Sequence, residues 1–398
     1  MTAPSTERTP LTIDLSRIQR IAFGVGLVAT GLVVYGFLED PEQFYRSYLQ
    51  AFLFWLAPTL GSLALIMLHN MTGGGWGFAI RRLLEAALRN VPFMLVAFLP
   101  VALGVTHLYE WTNADVVQGD PILQHKAGYL NLPFFFVRAI VYFAVWVGLA
   151  LGIVRFAARY DRWLEIGALR KLKTLSALGI IAYVGTMSFA SFDWAMSLEP
   201  HWFSTIYGIH FVVGQVLSTL CLAVLVAARI ARHEPFARWF QKSHFHDLGN
   251  LMLAFVMLWA YISFSQFLII WSGNLPEETP WYLNRLHLGW QGVALFLVVF
   301  HFFVPFVILL TRRSKRSAQI LSALAVVIFL IRYIDLYWLI APAFAHGGGI
   351  HPSWMDIVVP IALGGIWLGL FVHNLRGRPL VSLQDAKLLG HLEEAPAL

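Results

Sequence analysis

Apolar runs of about 20 residues alternate with short polar stretches along nearly the whole chain, the spacing expected of helices that cross a bilayer. Ten runs qualify: Ile18–Leu38, Tyr48–Leu68, Val91–Tyr109, Pro133–Ala158, Leu172–Phe192, Thr205–Ala228, Asp247–Trp271, Leu286–Leu310, Ser317–Ile340 and Trp354–His373. The pattern predicts an all-α polytopic membrane protein with ten transmembrane helices. Trp76–Asn90 is too amphipathic to be a span. Ile80, Leu83, Leu84, Ala87 and Leu88 share one helical face opposite Arg81, Arg82, Glu85 and Arg89, so a helix lying on the membrane surface is expected there, after the glycines at 73–75.

The basic residues fix an expected orientation. Of 28 Lys and Arg, 23 fall in the N-terminus, the even-numbered loops and the C-terminus, and 3 fall in the odd-numbered loops. The other 2, Arg138 and Arg332, lie inside spans. Cytoplasmic loops carry the excess of Lys and Arg, so both termini are expected in the cytoplasm and the odd loops in the periplasm. The net charge of +6 therefore reports topology, and nucleic acid is not an expected partner. Composition agrees: 58% of residues are hydrophobic and 13% charged, against roughly 25% charged in soluble domains. The polar start leads into the first span with no cleavage site, so no signal peptide is expected. Cys221, the single cysteine, rules out an intrachain disulfide and a cysteine-ligated iron–sulfur cluster within this chain.

Tyr129-Leu130-Asn131 precedes the fourth run and Tyr282-Leu283-Asn284 the eighth, and seven residues beyond each Asn stand Arg138 and Gln291. Runs two to five would then repeat as runs six to nine, the kind of duplication common in transport folds. The expected segments are a tail over 1–17, a peripheral span over 18–38, a four-helix bundle over 48–194 that includes the surface helix at 76–90, a second bundle over 203–340, a peripheral span over 354–373 and a tail over 374–398. Gly148/Gly152 and Gly365/Gly369 have the spacing for close helix contact.

Polar groups inside a bilayer are costly, and each is a functional-site hypothesis. Most lie towards the odd-loop end. The hairpin Ser191–Gly208 holds Asp193, Glu199 and His201 among Trp194, Trp202 and Tyr207, a composition that equally suits a polar turn in an aromatic belt. Arg138 and Tyr142 lie one turn apart in the fourth run, His210 in the sixth and Gln266 in the seventh. His287 and Gln291 open the eighth at i, i+4, and Arg332 and Asp335 sit at i, i+3 in the ninth, where they can also simply neutralise each other. His301 is the one such group in the inner half of the bundles and falls near the face of His287 and Gln291. Asp193, Glu199, His201, His210, Gln266, His287, Gln291, His301, Arg332 and Asp335 are therefore candidates for a proton path. Arg138, Tyr142, His210, Gln291 and Asp335 are candidates for holding a quinone. His210, His287 and His301 are conceivable haem ligands, but the paired in-helix histidines of a two-haem cytochrome are lacking. Neither an HExxH nor a phosphate-loop motif occurs.

Three stretches carry a family resemblance: SFDWAMSLEPHWFSTIYG (Ser191–Gly208), HDLGNLMLAFVMLWAYISFSQFLIIWSGNLPEETPWYL (His246–Leu283) and RYIDLYW (Arg332–Trp338). They resemble the NrfD-like membrane subunits of bacterial alternative complex III, and the length matches the smaller of the two. The resemblance implies a multi-pass subunit of the bacterial inner membrane, two four-helix bundles, and a complex that oxidises quinol (menaquinone or another quinone) and passes electrons to a periplasmic acceptor such as a cytochrome c or a copper protein. It implies as partners an NrfD-like sister subunit, an iron–sulfur subunit, c-type haem subunits, lipids and the quinone pool, with no redox centre in this chain. The sister is the better-supported quinol site, and both membrane subunits are associated with proton conduction. Carried over residue by residue, the family's polar cluster falls on Asp193, Glu199, His201, His210, Arg332 and Asp335. Two other readings fit the residues alone: a quinol site within this chain's outer half, and a stand-alone secondary transporter.

Overall fold

A computed structural model describes residues 14–163, 165–233, 240–345 and 348–376. Most of the tails expected over 1–17 and 374–398 lies outside the described residues. The described residues are helical throughout, with no strand, and ten helical segments are long and apolar enough to cross a membrane. This is the architecture of a multi-pass membrane protein.

We number the helices of the ten spans in order: α1 Leu15–Glu39, α2 Pro41–Thr72, α3 Gly75–Leu88, α4 Leu132–Trp163, α5 Ile166–Trp194, α6 Tyr207–Ile230, α7 Lys242–Gly273, α8 Trp290–Leu310, α9 Ala318–Ile340 and α10 Met355–Leu375. Local chemistry sets several boundaries. Asp40 closes α1 and caps α2, its carboxylate accepting from the Gln43 N–H at 3.0 Å with Pro41 in the first turn. Gly73 and Gly74 take φ values of 70° and 104°, a left-handed turn that returns the chain from α2 into α3. Leu288 and Gly289, at 53° and 99°, make a second such turn before α8.

Two expected elements differ. The helix at 76–90 exists, but its charged side is covered instead of facing water. Arg81 and Glu85 are both buried, Glu85 receives Arg81 at 3.2 Å and Arg82 at 2.7 Å, and Arg82 reaches Asp161 at 2.6 Å. Its charges are satisfied by each other and by the end of α4, so the helix packs against α2, α6, α7 and α10. The third span then continues as short pieces, Val91–Ala97, Leu99–Leu103 and Val105–Leu108. Pro100 lacks the N–H of a continuing helix, and Pro92 and Pro100 each stand in the first turn of a new piece.

The eighth span begins at Trp290, not Leu286, because the left-handed turn at 288–289 precedes it. Midway, Val298–Phe303 widens into a π-helix. Pro305 cannot donate to the carbonyl of His301 four residues earlier, and its ring crowds that turn, so the bonding there shifts.

Burial is very uneven. The most apolar windows of α2 and α6 are 94% and 83% buried, while that of α1 is 22% buried. α2 and α6 pack on each other and together touch α3, α5, α7, α9 and α10. Their approach is closest at Gly61, where a side chain would collide with Thr219 and the Gln215 carbonyl. α1 lies outside, against α10, through Gly26, Gly365 and Gly369. Of the two expected small-residue pairs, Gly365/Gly369 is thus a true helix contact. Gly148 faces open space and only Gly152 meets a neighbour, Leu175.

Candidate functional site

The odd-loop end of the helices carries three ion-paired centres. In the first, the Arg138 guanidinium donates two parallel bonds to Asp193, from Nε to Oδ2 at 2.8 Å and from Nη2 to Oδ1 at 2.9 Å. The Tyr142 hydroxyl donates to Oδ2 at 2.7 Å. Arg138 also donates to the Tyr129 carbonyl at 2.8 Å, and its guanidinium lies 3.9 Å from the centre of the Tyr129 ring. All three side chains are buried, Asp193 to 1% exposure. An aspartate that closes α5 is thereby tied to α4 by a charge-assisted fork, the strong form of hydrogen bond. Trp194 roofs it, edge-on to Tyr142 and Trp146.

In the second centre Glu199 pairs with Arg285, from Nη1 at 3.2 Å and Nη2 at 2.6 Å. Arg285 is fully buried and also donates to the carbonyls of Trp281, Trp338 and Leu339. Its guanidinium lies 3.7 Å from the centre of the Trp281 ring. This arginine thereby fastens the 195–206 connection to the α7–α8 connection and the end of α9.

The third centre lies wholly between helices. Asp335 of α9 receives Arg332 from its own helix, Trp259 Nε1 of α7 at 3.3 Å and His210 Nε2 of α6 at 3.5 Å. His210 meets Ser263 on its other nitrogen at 3.4 Å. Gly214 makes room for Arg332, since a Cβ there would run into the guanidinium. His301, in the π-helical turn, is fully buried and neither ring nitrogen has a hydrogen-bond partner. Its ring meets the Trp259 ring at 4.4 Å, centre to centre, so Trp259 touches both His301 and Asp335.

The expected site residues are thus distributed differently from their order in the sequence. Asp193, Glu199 and His201, neighbours in one hairpin, take partners from three separate elements. His201 donates to Asp120 at 2.5 Å in an exposed clasp, beside Lys126, which donates to the Pro200 carbonyl at 2.6 Å. The bond from His201 holds the Asp120 carboxyl below the usual carboxylate range. Arg332, Asp335, His210 and His301 do converge. Gln266 is buried and faces Tyr282 of the α7–α8 connection. His287 is exposed in the turn before α8, and Gln291 is exposed and accepts from the Gly289 N–H. The face expected to join His287, Gln291 and His301 is broken by that turn and by the π-helical shift. The five residues expected to hold a quinone fall in three places. Arg138 and Tyr142 are committed to Asp193, His210 and Asp335 belong to another centre, and Gln291 faces outward. Among the described residues no three His, Cys, Asp or Glu side chains converge as a metal ion would require.

Arg285 was not a candidate from the sequence, where it counted only as one of the three odd-loop cations. A signal was there: a cation in a segment otherwise nearly free of Lys and Arg needs a specific partner. All five Lys and Arg outside the basic segments are so engaged: Arg46 on Glu42, Lys126 on Pro200, Arg138 on Asp193, Arg285 on Glu199 and Arg332 on Asp335. No family model matches the chain, and no curated protein matches it.

Proposed function

We propose that this chain is a membrane subunit of a quinol:electron-acceptor oxidoreductase of the alternative complex III type, the smaller NrfD-like one. It carries no redox centre of its own and offers protonatable groups to the complex. The observation that carries this reading is the buried centre at Asp335. It places a carboxylate, two imidazoles and an arginine from three helices within one apolar interior. Structural ion pairs need only two partners, and buried charges are retained at a cost. A carboxylate beside a histidine can exchange a proton along Asp335, His210 and Ser263, with contacts of 3.5 and 3.4 Å. His301, with both nitrogens free, is the inward link across Trp259.

In this reading the odd-loop end faces the periplasm and both termini the cytoplasm. α2 to α5 and α6 to α9 are two four-helix bundles that meet at α2 and α6, and α1 and α10 form a peripheral pair. The contacts of α2 with α3 and α5, and of α6 with α7 and α9, support that division. Glu199 and Arg285, with Arg138 and Asp193, hold the outer connections rigid, and electrons travel through haem and iron–sulfur groups of partner subunits. Mild-detergent purification of the tagged chain from its native membrane tests this. Co-purification with haem- and iron–sulfur-bearing subunits and a second NrfD-like chain is expected. Isolation as a homo-oligomer without such partners contradicts it and favours a transporter.

A further inference from the structure

The least buried spans are α1, α4, α5, α7 and α8, each with one side uncovered. On α1 that side is apolar, with Leu27, Val28 and Leu32 outward, and the mid-span hydroxyl of Thr30 donates to the Gly26 carbonyl of its own helix at 2.8 Å. The uncovered side of α7 differs. Tyr261 is 67% exposed there, beside Met257, Phe264 and Leu268. It is the central residue between Asn250 and Ser272, the polar residues that bound the apolar part of the helix. At 1.5 Å per residue it lies about 16 Å from either, the midplane of a hydrocarbon layer about 30 Å thick. Tyrosines gather at the membrane surface, where the hydroxyl meets water, so one exposed at mid-height is out of place.

Neither Tyr261 nor Ser265, one turn further on, has a hydrogen-bond partner among the described residues. Elsewhere in the spans such groups are satisfied. The Tyr48, Tyr142 and Tyr183 hydroxyls donate to the Ala97 carbonyl, Asp193 and Gln215. Ser62, Ser176 and Ser218 each donate to the carbonyl four residues back in their own helix. Hydrocarbon offers a hydroxyl nothing, so two unmatched ones at i and i+4 on one face call for a second polar surface at the same height. We infer that the α7 face centred on Tyr261 is the docking site for a transmembrane helix of a partner subunit, one that presents an amide or hydroxyl side chain at mid-bilayer height. Packing and hydrogen bonds of this kind hold helices together where lipid supplies no hydrophobic drive. A two-fold contact between copies of this chain would set two Tyr261 rings against each other at the crossing point, where membrane interfaces use small residues. The inference rests on the proposed membership of a larger membrane complex and adds the face by which the chain enters it.

Photo-cross-linking in native membranes reads that face. A benzophenone maleimide is attached at Phe264→Cys, beside Tyr261, and at Leu27→Cys on α1 as the control. Cys221 is buried, so each variant presents a single reactive thiol. An adduct with a different membrane polypeptide is expected at position 264 and lipid adducts alone at position 27. Tyr261→Phe removes a hydroxyl that has no internal partner and leaves the fold intact. Retention of the partner through graded detergent should then fall about threefold, the effect of one hydrogen bond between membrane helices. Lipid adducts alone at position 264, in a complex that purifies complete, overturn the inference and spare the functional reading. Purification with no partner overturns both. A cross-link to a second copy of this chain, or retention unchanged by Tyr261→Phe, overturns the inference as well.

Discussion

Arg138 and Asp193 illustrate what a buried pair demands. Each was removed from water, and the fork of two bonds plus the Tyr142 hydroxyl offsets that loss only while both partners remain. Arg138→Ala should therefore destabilise the protein by about 3–5 kcal/mol, whereas Arg138→Met combined with Asp193→Leu should recover most of the loss; thermal unfolding in detergent reads both. His301 is the converse case. Its nitrogens bond to nothing, so His301→Phe relieves a desolvation penalty of about 1–3 kcal/mol and should leave stability unchanged or raised. If stability falls instead, His301 has a partner in the folded protein and is not free to relay. At the surface, the His201–Asp120 clasp sets a pH dependence. The Asp120 carboxyl is held low by its bond, so the clasp's contribution is present above about pH 4, the ordinary aspartate value, and is lost as pH falls through the lowered folded value. Hydrogen exchange over 114–126, corrected for intrinsic rates, should stay flat from pH 7 to about 4 and rise below it. The acids and histidines of these centres were legible in the sequence because a charge among apolar residues stands out. Their partners were not, since Asp120, Arg138 and Arg285 meet 193–201 only through the tertiary fold.

Among the elements, the apolar runs other than the third were legible to within about two turns because length and hydropathy alone decide whether a helix crosses a bilayer; the third span is Gly75–Leu103, displaced from the expected Val91–Tyr109. The exceptions arise where backbone chemistry overrides hydropathy. Leu286–Gly289 is apolar enough to extend α8, yet Leu288 and Gly289 turn left-handed. The stretch 91–108 reads as one run, yet Pro92 and Pro100 break it into pieces. The 76–90 helix has a surface pattern, yet Asp161 of α4 and its own Glu85 neutralise its arginines, and it packs inside. Helix contacts give a sharp pair of expectations. Gly61→Ala forces α2 from α6 and should cost about 1–3 kcal/mol, while Gly148→Ala, which meets nothing, should be neutral or slightly stabilising. Equal effects in a thermal-shift measurement would mean that α2 and α6 do not approach as described.

For the whole molecule, two central helices, α2 and α6, are the most buried and an outer pair, α1 and α10, closes one side. Both inner helices reach a charged centre or a cavity wall at the odd-loop end: α6 through His210, and α2 through Arg46 and Gln50. The proposed proton role is a property of that arrangement within a larger complex, and periodicity could not reveal it. The acids and histidines among apolar residues suggested it, and the family resemblance of the 191–208, 246–283 and 332–338 stretches pointed the same way. The most direct test is proton release per electron during quinol oxidation by the assembled complex carrying Asp335→Asn, compared with the natural one at matched subunit composition and electron-transfer rate. A proton-conducting centre at Asp335 predicts a clear fall in protons released per electron; an unchanged ratio would contradict it and leave Asp335 and Arg332 as a structural pair.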